Sequence, residues 1–388
     1  MKKYLLLFFG FTPILVFSQG SPSSNLLGQD ANPITVAVPF VSFAPDSRSS
    51  ALGDAGVATS PDAYSIHWNS AKLAFIENDM GFSFSYSPWL GNIVDDMSLN
   101  YLTFYKKLNQ QEAIGFSMRY FDMGELFLTS ELGAPEGTEN PRELALDGAY
   151  SRKLTENFSV GVAGRFIWSN LTGQLNNAPG ARAGTSIAVD LGVYYKKPFM
   201  FRGKNSELAL GANISNIGQK LSYSTEDNED FIPGNLRIGT AMTTNLDAFN
   251  SLTFVFDMNK LLVPTPPRLD ADGNIIAGKD PDRSLLSGTF GSFGDAPGGF
   301  NEELKELMFS FGLEYWYRDI FAARAGYFNE NADKGNRKYY TAGVGFRYQV
   351  FGVDFSYLIP QVQNHPLGDT LRLSLLFSLD KTGPDEVN

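Results

Sequence analysis

The residues that could carry out catalysis in this sequence are few and poorly placed. The stretch Gly184–Ala188 approaches the Gly-x-Ser-x-Gly pattern of a nucleophile elbow but ends in alanine. A serine nucleophile also needs a general base, and the two histidines, His67 and His365, lie far from this stretch in the sequence. We therefore predict that the protein is not an enzyme.

Metal and cofactor chemistry has little support either. The chain has no cysteine, which removes thiolate nucleophiles, iron–sulfur ligands and cysteine-based zinc sites. The segment Asp270–Asn274 carries three side-chain oxygen donors, but its glycine is misplaced for an EF-hand and the closing glutamate is absent. A polar turn built on Asp-Gly is the better interpretation. We predict no metal site and no cofactor.

From about Met80 onward the sequence alternates with a period of two, the pattern of β-strands. Within 80–86, and again within 340–348, large apolar residues alternate with small residues or an arginine. A soluble β-sandwich also alternates, but its outward face should be rich in Lys, Glu and Thr. Small residues with isolated charges suit the packed lumen of a membrane barrel, and aromatic residues near the strand ends suit its interfacial girdles.

The number and spacing of these runs define the predicted barrel. About 14 runs have the roughly 8–12 residues that a tilted membrane strand needs. They begin near Met80, Asp96, Glu112, Arg142, Asn157, Thr185, Glu207, Gly234, Ser251, Leu307, Ile320, Lys338, Val350 and Thr370. Their connections alternate between long and short, and the short turns of outer-membrane barrels face the periplasm. We predict an all-β, transmembrane antiparallel β-barrel of the outer membrane, with an even strand number that leaves both termini in the periplasm.

The composition agrees with a barrel and excludes other classes of protein. Beyond residue 18 no apolar stretch of about 18 residues occurs, which excludes helical membrane spans. The mean hydropathy is slightly negative, as expected when half of each strand faces the lumen. The net charge of −11 argues against nucleic-acid binding, because phosphates require a basic surface.

The chain divides into four predicted segments. Residues 1–18 have a basic start, an apolar run and a small-residue exit, which indicate a signal peptide. Residues 19–79 form a periplasmic or plug segment, and residues 80–379 form the transmembrane barrel. Residues 380–388 form a short polar periplasmic tail.

The segment Phe40–Phe75 does not alternate, and glycines and turn residues break it into small pieces. Its apolar and aromatic content is too high for a loose linker. Irregular backbone is tolerated at membrane depth when protein surrounds it, so we predict that this segment, the plug, fills the barrel lumen. The residues expected to define the plug are Gly53, Gly56, Asp62, Trp68 and Asn69.

Part of the plug resembles a known family. The run Arg48–Ala58, followed by Asp62 and by Trp68–Leu73, resembles the N-terminal hatch of the FadL-like transport barrels. Those proteins typically have Asn-Pro-Ala where this chain has Asn69–Ala71. The resemblance implies an N-terminal plug and, as one possible function, transport of hydrophobic small molecules across the outer membrane.

Within that superfamily the chain resembles the PorV (LptO) family of the Bacteroidetes type IX secretion system. Asn32–Phe43, Ala63–Asn69 and Ser87–Gly91 carry this closer resemblance. It implies a barrel that associates with the giant translocon barrel (SprA, also called Sov) and receives cargo proteins by their C-terminal signal domains. It further implies that cargo passes to the PorU sortase and its attachment complex at the cell surface.

The longest connection, Asn259–Glu306, is the strongest candidate for a contact surface, because loops of this length are usually functional or disordered. The alternative is that it folds over the barrel mouth and closes it. The apolar residues expected to bind a partner are Leu261, Leu262, Val263, Leu285, Leu286, Phe290, Phe293 and Phe300.

Charge follows the same two sides of the predicted barrel. Basic residues concentrate on the short turns, and acidic residues concentrate on the long loops. The simplest interpretation is solvated charge that keeps the loops soluble. The alternative is an acidic outer face that docks basic partners or bridges cations at the lipopolysaccharide surface, next to the membrane lipid that any such barrel contacts.

Three functions remain open. The first is a non-enzymatic type IX secretion component that binds the translocon and cargo. The second is a FadL-like transporter, which a lateral strand gap and a greasy pocket beside the plug would favour. The third is a simple porin, which a wide, charged, water-filled lumen would favour.

Overall fold

A single closed barrel dominates the fold. The computed structural model describes residues 31–91, 94, 96–129, 134–171, 182–224, 229–361 and 370–380. Asn32–Asn388 form one compact unit. The predicted signal peptide, His365 and the residues after 380 lie outside the described residues.

Among the described residues, fourteen antiparallel strands close into the barrel. The last strand pairs with the first, in a register that sets Met80 against Leu379 and Tyr86 against Leu373. The strands are β1 (Met80–Pro88), β2 (Ser98–Lys107), β3 (Glu112–Asp122), β4 (Arg142–Lys153), β5 (Phe158–Asn170), β6 (Gly184–Phe201), β7 (Lys204–Gly218), β8 (Asn235–Asn245), β9 (Asn250–Leu261), β10 (Leu307–Tyr317), β11 (Phe321–Asn329), β12 (Lys338–Tyr348), β13 (Phe351–Pro360) and β14 (Leu371–Leu379).

The strand prediction is confirmed in number, and each strand begins within three residues of its expected start. The largest difference is at β7, which begins at Lys204 because the hairpin of β6 and β7 is longer than its neighbours. The first residue of β5 pairs with Tyr195, so residues 196–201 of β6 extend past β5. Within the described residues no helix is long and apolar enough to cross a membrane.

Strand β1 shows how the alternation produces two surfaces. Phe82, Phe84 and Tyr86 point out of the barrel and are each 41% exposed, whereas Ser83 and Ser85 point inward and are buried. An outward band of large apolar side chains is what lipid contact requires. The small inward side chains leave room for the plug.

Short helices and two small hairpins make up the other described elements. In the plug are a 3-10 helix (Pro39–Ser42), α1 (Ser47–Ser50), α2 (Ser65–Trp68) and a second 3-10 helix (Ser70–Phe75). The connection between β9 and β10 contains a hairpin (Arg268–Leu269 with Ile275–Ala277), α3 (Leu285–Gly291) and α4 (Phe300–Lys305). A second hairpin (Leu126–Thr129 with Pro135–Glu139) lies between β3 and β4.

The segment before β1 runs through the lumen from one end of the barrel to the other. The Asn32 amide donates to the Asp333 carbonyl, and its side chain donates to Pro266, both in connections on the long-loop side. At the short-turn side, the Lys107 amide donates to the Asp79 carbonyl just before β1. Asn32 therefore lies at the long-loop side of the barrel. An even strand count fixes only the ends of the sheet, not the chain that precedes it.

Candidate functional site

The plug is built around the carboxylate of Asp46. One of its oxygens caps α1 by accepting from the Ser49 amide at 2.8 Å. The other accepts from the Trp68 indole Nε1 at 2.7 Å. Asp46 and Trp68 are both buried. A cap that also satisfies a buried indole holds α1 and α2 in one orientation.

Two glycines of the plug permit close approaches. Gly53 has a φ of +70°, and a Cβ there would lie 2.6 Å from the Tyr327 carbonyl oxygen of β11. A Cβ on Gly56 would lie 2.3 Å from the Trp68 ring. Only glycine fits these two positions without displacing a barrel strand or the indole.

Asn69 joins the plug to the barrel wall. Its amide nitrogen donates to the Val57 carbonyl within the plug at 3.1 Å and to the Val193 carbonyl of β6 at 2.9 Å. Its carbonyl oxygen accepts from the Ala71 amide and so caps the second 3-10 helix. This side-chain amide is fully buried, and its hydrogen bonds satisfy one carbonyl of the plug and one of β6.

A chain of buried ion pairs fastens the plug to β10, β11 and β13. The Arg48 guanidinium pairs with Asp62 in the plug and with Glu314 on β10, each at 2.8 Å. Arg324 continues the chain from Glu314 to Asp354, with contacts of 2.7 Å to each. Charges buried this deeply are tolerated when they are paired and hydrogen-bonded. Asp62 was expected in the plug, but its partners were not identified.

A second contact between the plug and the barrel wall lies on β9. The Asp257 carboxylate accepts from the backbone amides of Gly56 and Val57 at 2.7 and 2.9 Å. Next to it, the Lys72 ammonium donates to the Gly56 carbonyl and to Thr59. A sequence signal could have found Asp257, Glu314 and Asp354. Each is the single acidic residue of its strand and lies on the inward side of the alternation.

The connection between β9 and β10 folds into a cap, residues 262–306, held by two buried lysines. Lys260, at the end of β9, pairs with Glu303 at 3.0 Å and also with Glu306. Lys334 pairs with Glu302 at 2.8 Å and with Glu306 at 3.1 Å. The cap is thus fixed against the barrel rim by a network that spans β9, α4 and the connection after β11.

The eight residues predicted to bind a partner divide into two groups. Leu262 and Val263 are each only 3% exposed, and Leu261 and Leu285 are half-buried. The other four are exposed: Leu286 (61%), Phe290 (71%), Phe293 (52%) and Phe300 (75%). Leu262 and Val263 are buried at the start of the cap, so they do not belong to a free surface. The loop therefore folds at the mouth and still presents aromatic side chains.

Four exposed apolar residues of the cap were not predicted: Leu269, Ile275, Ile276 and Leu304. Ile276 on the small hairpin is 65% exposed, and Leu304 in α4 is 49% exposed. The signal for Leu304 is its spacing of four from Phe300, which sets both side chains on one face of a helix.

A cavity lies between the plug and the barrel wall, near the outer ends of the strands. Its apolar lining includes Trp68, Leu261 and Phe328, but three arginines also line it: Arg237, Arg337 and Arg372. This is not the greasy pocket that transport of hydrophobic compounds would favour.

Ser186 and His67, the described residues that were considered for catalysis, each have other partners. Ser186, on β6, donates its hydroxyl to the Gln219 carbonyl at 2.7 Å. His67 lies in the plug, and its Nδ1 is 2.7 Å from the guanidinium of Arg119 on β3. In the predicted polar turn, Asp270 accepts from the Asp272 and Asn274 amides.

Comparisons with known proteins agree with this geometry. The family model described as "Type IX secretion system protein PorV" matches residues 27–268. No curated protein matches the sequence.

Solved outer-membrane structures share the fold. A mutant of the monoaromatic hydrocarbon channel TodX, a toluene transporter of Pseudomonas putida, is 12% identical, covering 86% of this chain and 98% of its own, with a TM-score of 0.52. The toluene transporter TbuX of Ralstonia pickettii is 12% identical, covering 87% and 98%, with a TM-score of 0.45. A FadL homologue of Pseudomonas aeruginosa is 12% identical, covering 90% and 99%, with a TM-score of 0.43. The likeness to the TodX mutant concerns the fold alone.

Proposed function

Because the chain belongs to the PorV family of the type IX secretion system, we propose that it is a binding and shuttle barrel of that machinery. The protein is a type IX secretion component of the outer membrane. In the proposed role it has no enzymatic activity of its own. It binds the giant translocon barrel and the C-terminal signal domains of cargo proteins, and it passes the cargo to the PorU sortase complex.

The observation that carries the proposal is the fixed cap with its exposed aromatic residues. Phe290, Phe293 and Phe300 are more than half exposed, on a segment that the Lys260 and Lys334 ion pairs already hold in place. Large exposed apolar patches mark interaction sites, and aromatic residues often dominate their binding energy. A surface that is already ordered loses little entropy when a partner binds.

The plug supports a role at the surface more than one through the pore. Arg48, Asn69 and Asp257 join it to strands on several sides of the lumen. In the described barrel every strand is paired with two neighbours. Neither observation favours the alternative of a FadL-like transporter of hydrophobic compounds, for which the arginine-lined cavity is also poorly suited.

The test replaces Leu286, Phe290, Phe293 and Phe300 together with serine. We expect the barrel to fold and to keep the translocon, but to lose most of the cargo that co-purifies with it in mild detergent. Serine at these exposed positions removes apolar contact area without opening a cavity in the fold.

A matched control replaces Leu126 and Phe127 with serine, because both are exposed on another long-loop hairpin, at 49% and 76%. Cargo recovery should be unchanged in this control. Unchanged recovery in the cap variant, measured by quantitative mass spectrometry, would show that the cap does not bind cargo.

A further inference from the structure

The cavity between the plug and the barrel wall has the features of a ligand site. The space open to the centre of a water molecule is about 90 Å³, several times the roughly 10–15 Å³ that one water needs. Leu261 and Met308, at the outer ends of β9 and β10, line it together with Trp68 of the plug. It therefore has room for a small polyatomic group.

Arg237 is the first unusual residue of its lining. The residue is only 7% exposed, and its Nε has no hydrogen-bond partner. None of the ion pairs among the described residues includes it. Its guanidinium carbon lies 4.7 Å from the centre of the Trp68 ring, and the carboxylates of Asp257, Asp54 and Asp190 offset part of its charge without forming an ion pair with it. A ring face offsets only part of the cost of burying a cation.

Arg372, on β14, is in a similar position. It is 4% exposed, donates to the Ser50 hydroxyl and has no partner at Nε. Again, no ion pair among the described residues includes it. Other buried arginines of this lumen differ: Arg165 pairs with Asp147 and Asp190. Arg119 is also buried without an ion pair among the described residues, but the carbonyl oxygens of Phe40 and Val41 accept from it. Arg237 and Arg372 are thus buried guanidinium groups that neither an ion pair nor several hydrogen bonds among the described residues satisfy.

The remaining lining does not supply the missing negative charge. Arg337 is paired with Glu330 at 2.7 Å, so it adds no charge in excess. Asp54 is the only carboxylate among the described lining residues, and the Tyr339 hydroxyl donates to it. Asp257 and Asp190, which also offset part of the Arg237 charge, lie outside the described lining, so the lining itself carries an excess of positive charge.

Water can satisfy the hydrogen-bonding atoms of the cavity but not its charge. Unpartnered acceptor oxygens of Asn235 and Asn259 also border it, and ordered water fills polar cavities of this kind. Water carries no charge, so the two buried cations would remain only partly compensated. A small anion removes that deficit, and guanidinium groups match planar or tetrahedral oxyanions with paired N–H donors.

We propose that this cavity binds a small oxyanion of the carboxylate or phosphate class, held by Arg237 and Arg372. The anion enters from the long-loop side, toward which the cavity lies. It bridges the plug and the barrel wall, because Arg237 contacts Trp68 and Arg372 contacts Ser50. This site is independent of the proposed role in cargo binding.

The experiment measures the unfolding temperature of the purified barrel in detergent. Inorganic phosphate, acetate and glycerol phosphate are compared with sodium chloride at equal ionic strength. An anion that binds only the folded state raises the unfolding temperature with its concentration. We expect a rise that saturates in the millimolar range. A rise with acetate alone assigns the site to a carboxylate. A rise with inorganic phosphate alone assigns it to a free phosphate, and a rise with glycerol phosphate alone assigns it to a headgroup phosphate.

Variants locate the effect. Arg237→Gln and Arg372→Gln should each abolish the anion-dependent rise, whereas Arg237→Lys should retain part of it. Arg142→Gln is the matched control, since it removes the same charge from an exposed position at the outer end of β4 and should leave the rise intact. Because Arg237 has no ion-pair or hydrogen-bond partner among the described residues, Arg237→Gln should fold and should unfold in chloride at about the same temperature as the parent protein. The proposal is overturned if the parent shows no rise beyond chloride, or if Arg237→Gln retains the full rise.

Discussion

Replacing Arg48 with methionine should loosen the plug from the barrel wall. The guanidinium makes a two-pronged contact with Glu314 of β10, with Nε–Oε2 and Nη2–Oε1 distances of 3.0 and 2.8 Å. The two side chains are only 8% and 3% exposed. Methionine fills the site with an unbranched chain but leaves Glu314 with Arg324 as its remaining ion-pair partner.

The magnitude follows from the burial of this pair. Removing one partner of a buried ion pair costs about 3–5 kcal/mol. The lower end applies here, because Arg324 still compensates Glu314. About 3 kcal/mol corresponds to a roughly hundredfold increase in the population of molecules whose plug has detached.

The assay uses the absence of native cysteine. Ala55 is fully buried in the plug, so an Ala55→Cys variant carries a single protected thiol. Its reaction with a water-soluble maleimide requires the plug to open. Adding Arg48→Met should raise the labelling rate roughly a hundredfold, while the strand content measured by circular dichroism stays the same.

Arg152→Met supplies the comparison for that experiment. Arg152 forms an ion pair with Glu112 at 3.4 Å, but its side chain is 53% exposed. Exposed pairs contribute about 0–1 kcal/mol, so labelling of the Ala55→Cys thiol should change by less than about fivefold. Equal labelling rates in the two variants would refute the reasoning and would mean that apolar packing alone holds the plug.

Two further predictions concern the plug core and the cap. Gly56→Ala would set a methyl group 2.3 Å from the Trp68 ring and should lower the free energy of unfolding by at least about 1–3 kcal/mol. The control is Gly148→Ala, whose methyl group would meet nothing within 4 Å and should change the free energy of unfolding little. Equal losses in the two variants would refute the steric argument. Burial tends to raise the pKa of Glu302, but hydrogen bonds from Lys334 and Asn32 outweigh it and hold that pKa below its usual 4.5. Ionised Glu302 therefore stabilises the cap above pH 4.5, and this stabilisation is lost as the pH falls through the lowered pKa. The protection factors of the α4 amides, which correct for the slower intrinsic exchange in acid, should fall only in acid, and Lys334→Met should lower them at neutral pH as well.

The barrel could be predicted because its signal is local. In β1 the pairs Phe82–Ser83 and Phe84–Ser85 already place one side chain toward lipid and one toward the lumen, and this alternation needs no knowledge of the rest of the chain. Loop lengths then set the strand count. The same local signal marked the plug as a segment without alternation.

The partners of the plug could not be predicted, because they depend on three-dimensional closure. Arg48 and Glu314 are 266 residues apart, and nothing near either residue specifies the other. The position of Asn32, ahead of the plug, could not be predicted for a related reason. Strand parity locates the start of β1, but the hydrogen bond from Asn32 to Asp333 forms only once the barrel surrounds the chain.

The apolar residues of the cap show where sequence composition alone misleads. Leu262 and Val263 look like Phe290 and Phe300 in a list of hydrophobic residues, but they have different physical roles. Burying the first two stabilises the cap by about 1.5–3 kcal/mol each. The two phenylalanines remain 71% and 75% exposed, so they contribute little to folding. Since ion pairs and buried residues already hold the cap, its exposed aromatic side chains are not required for its structure, and contact with another protein is the role that their exposure fits best.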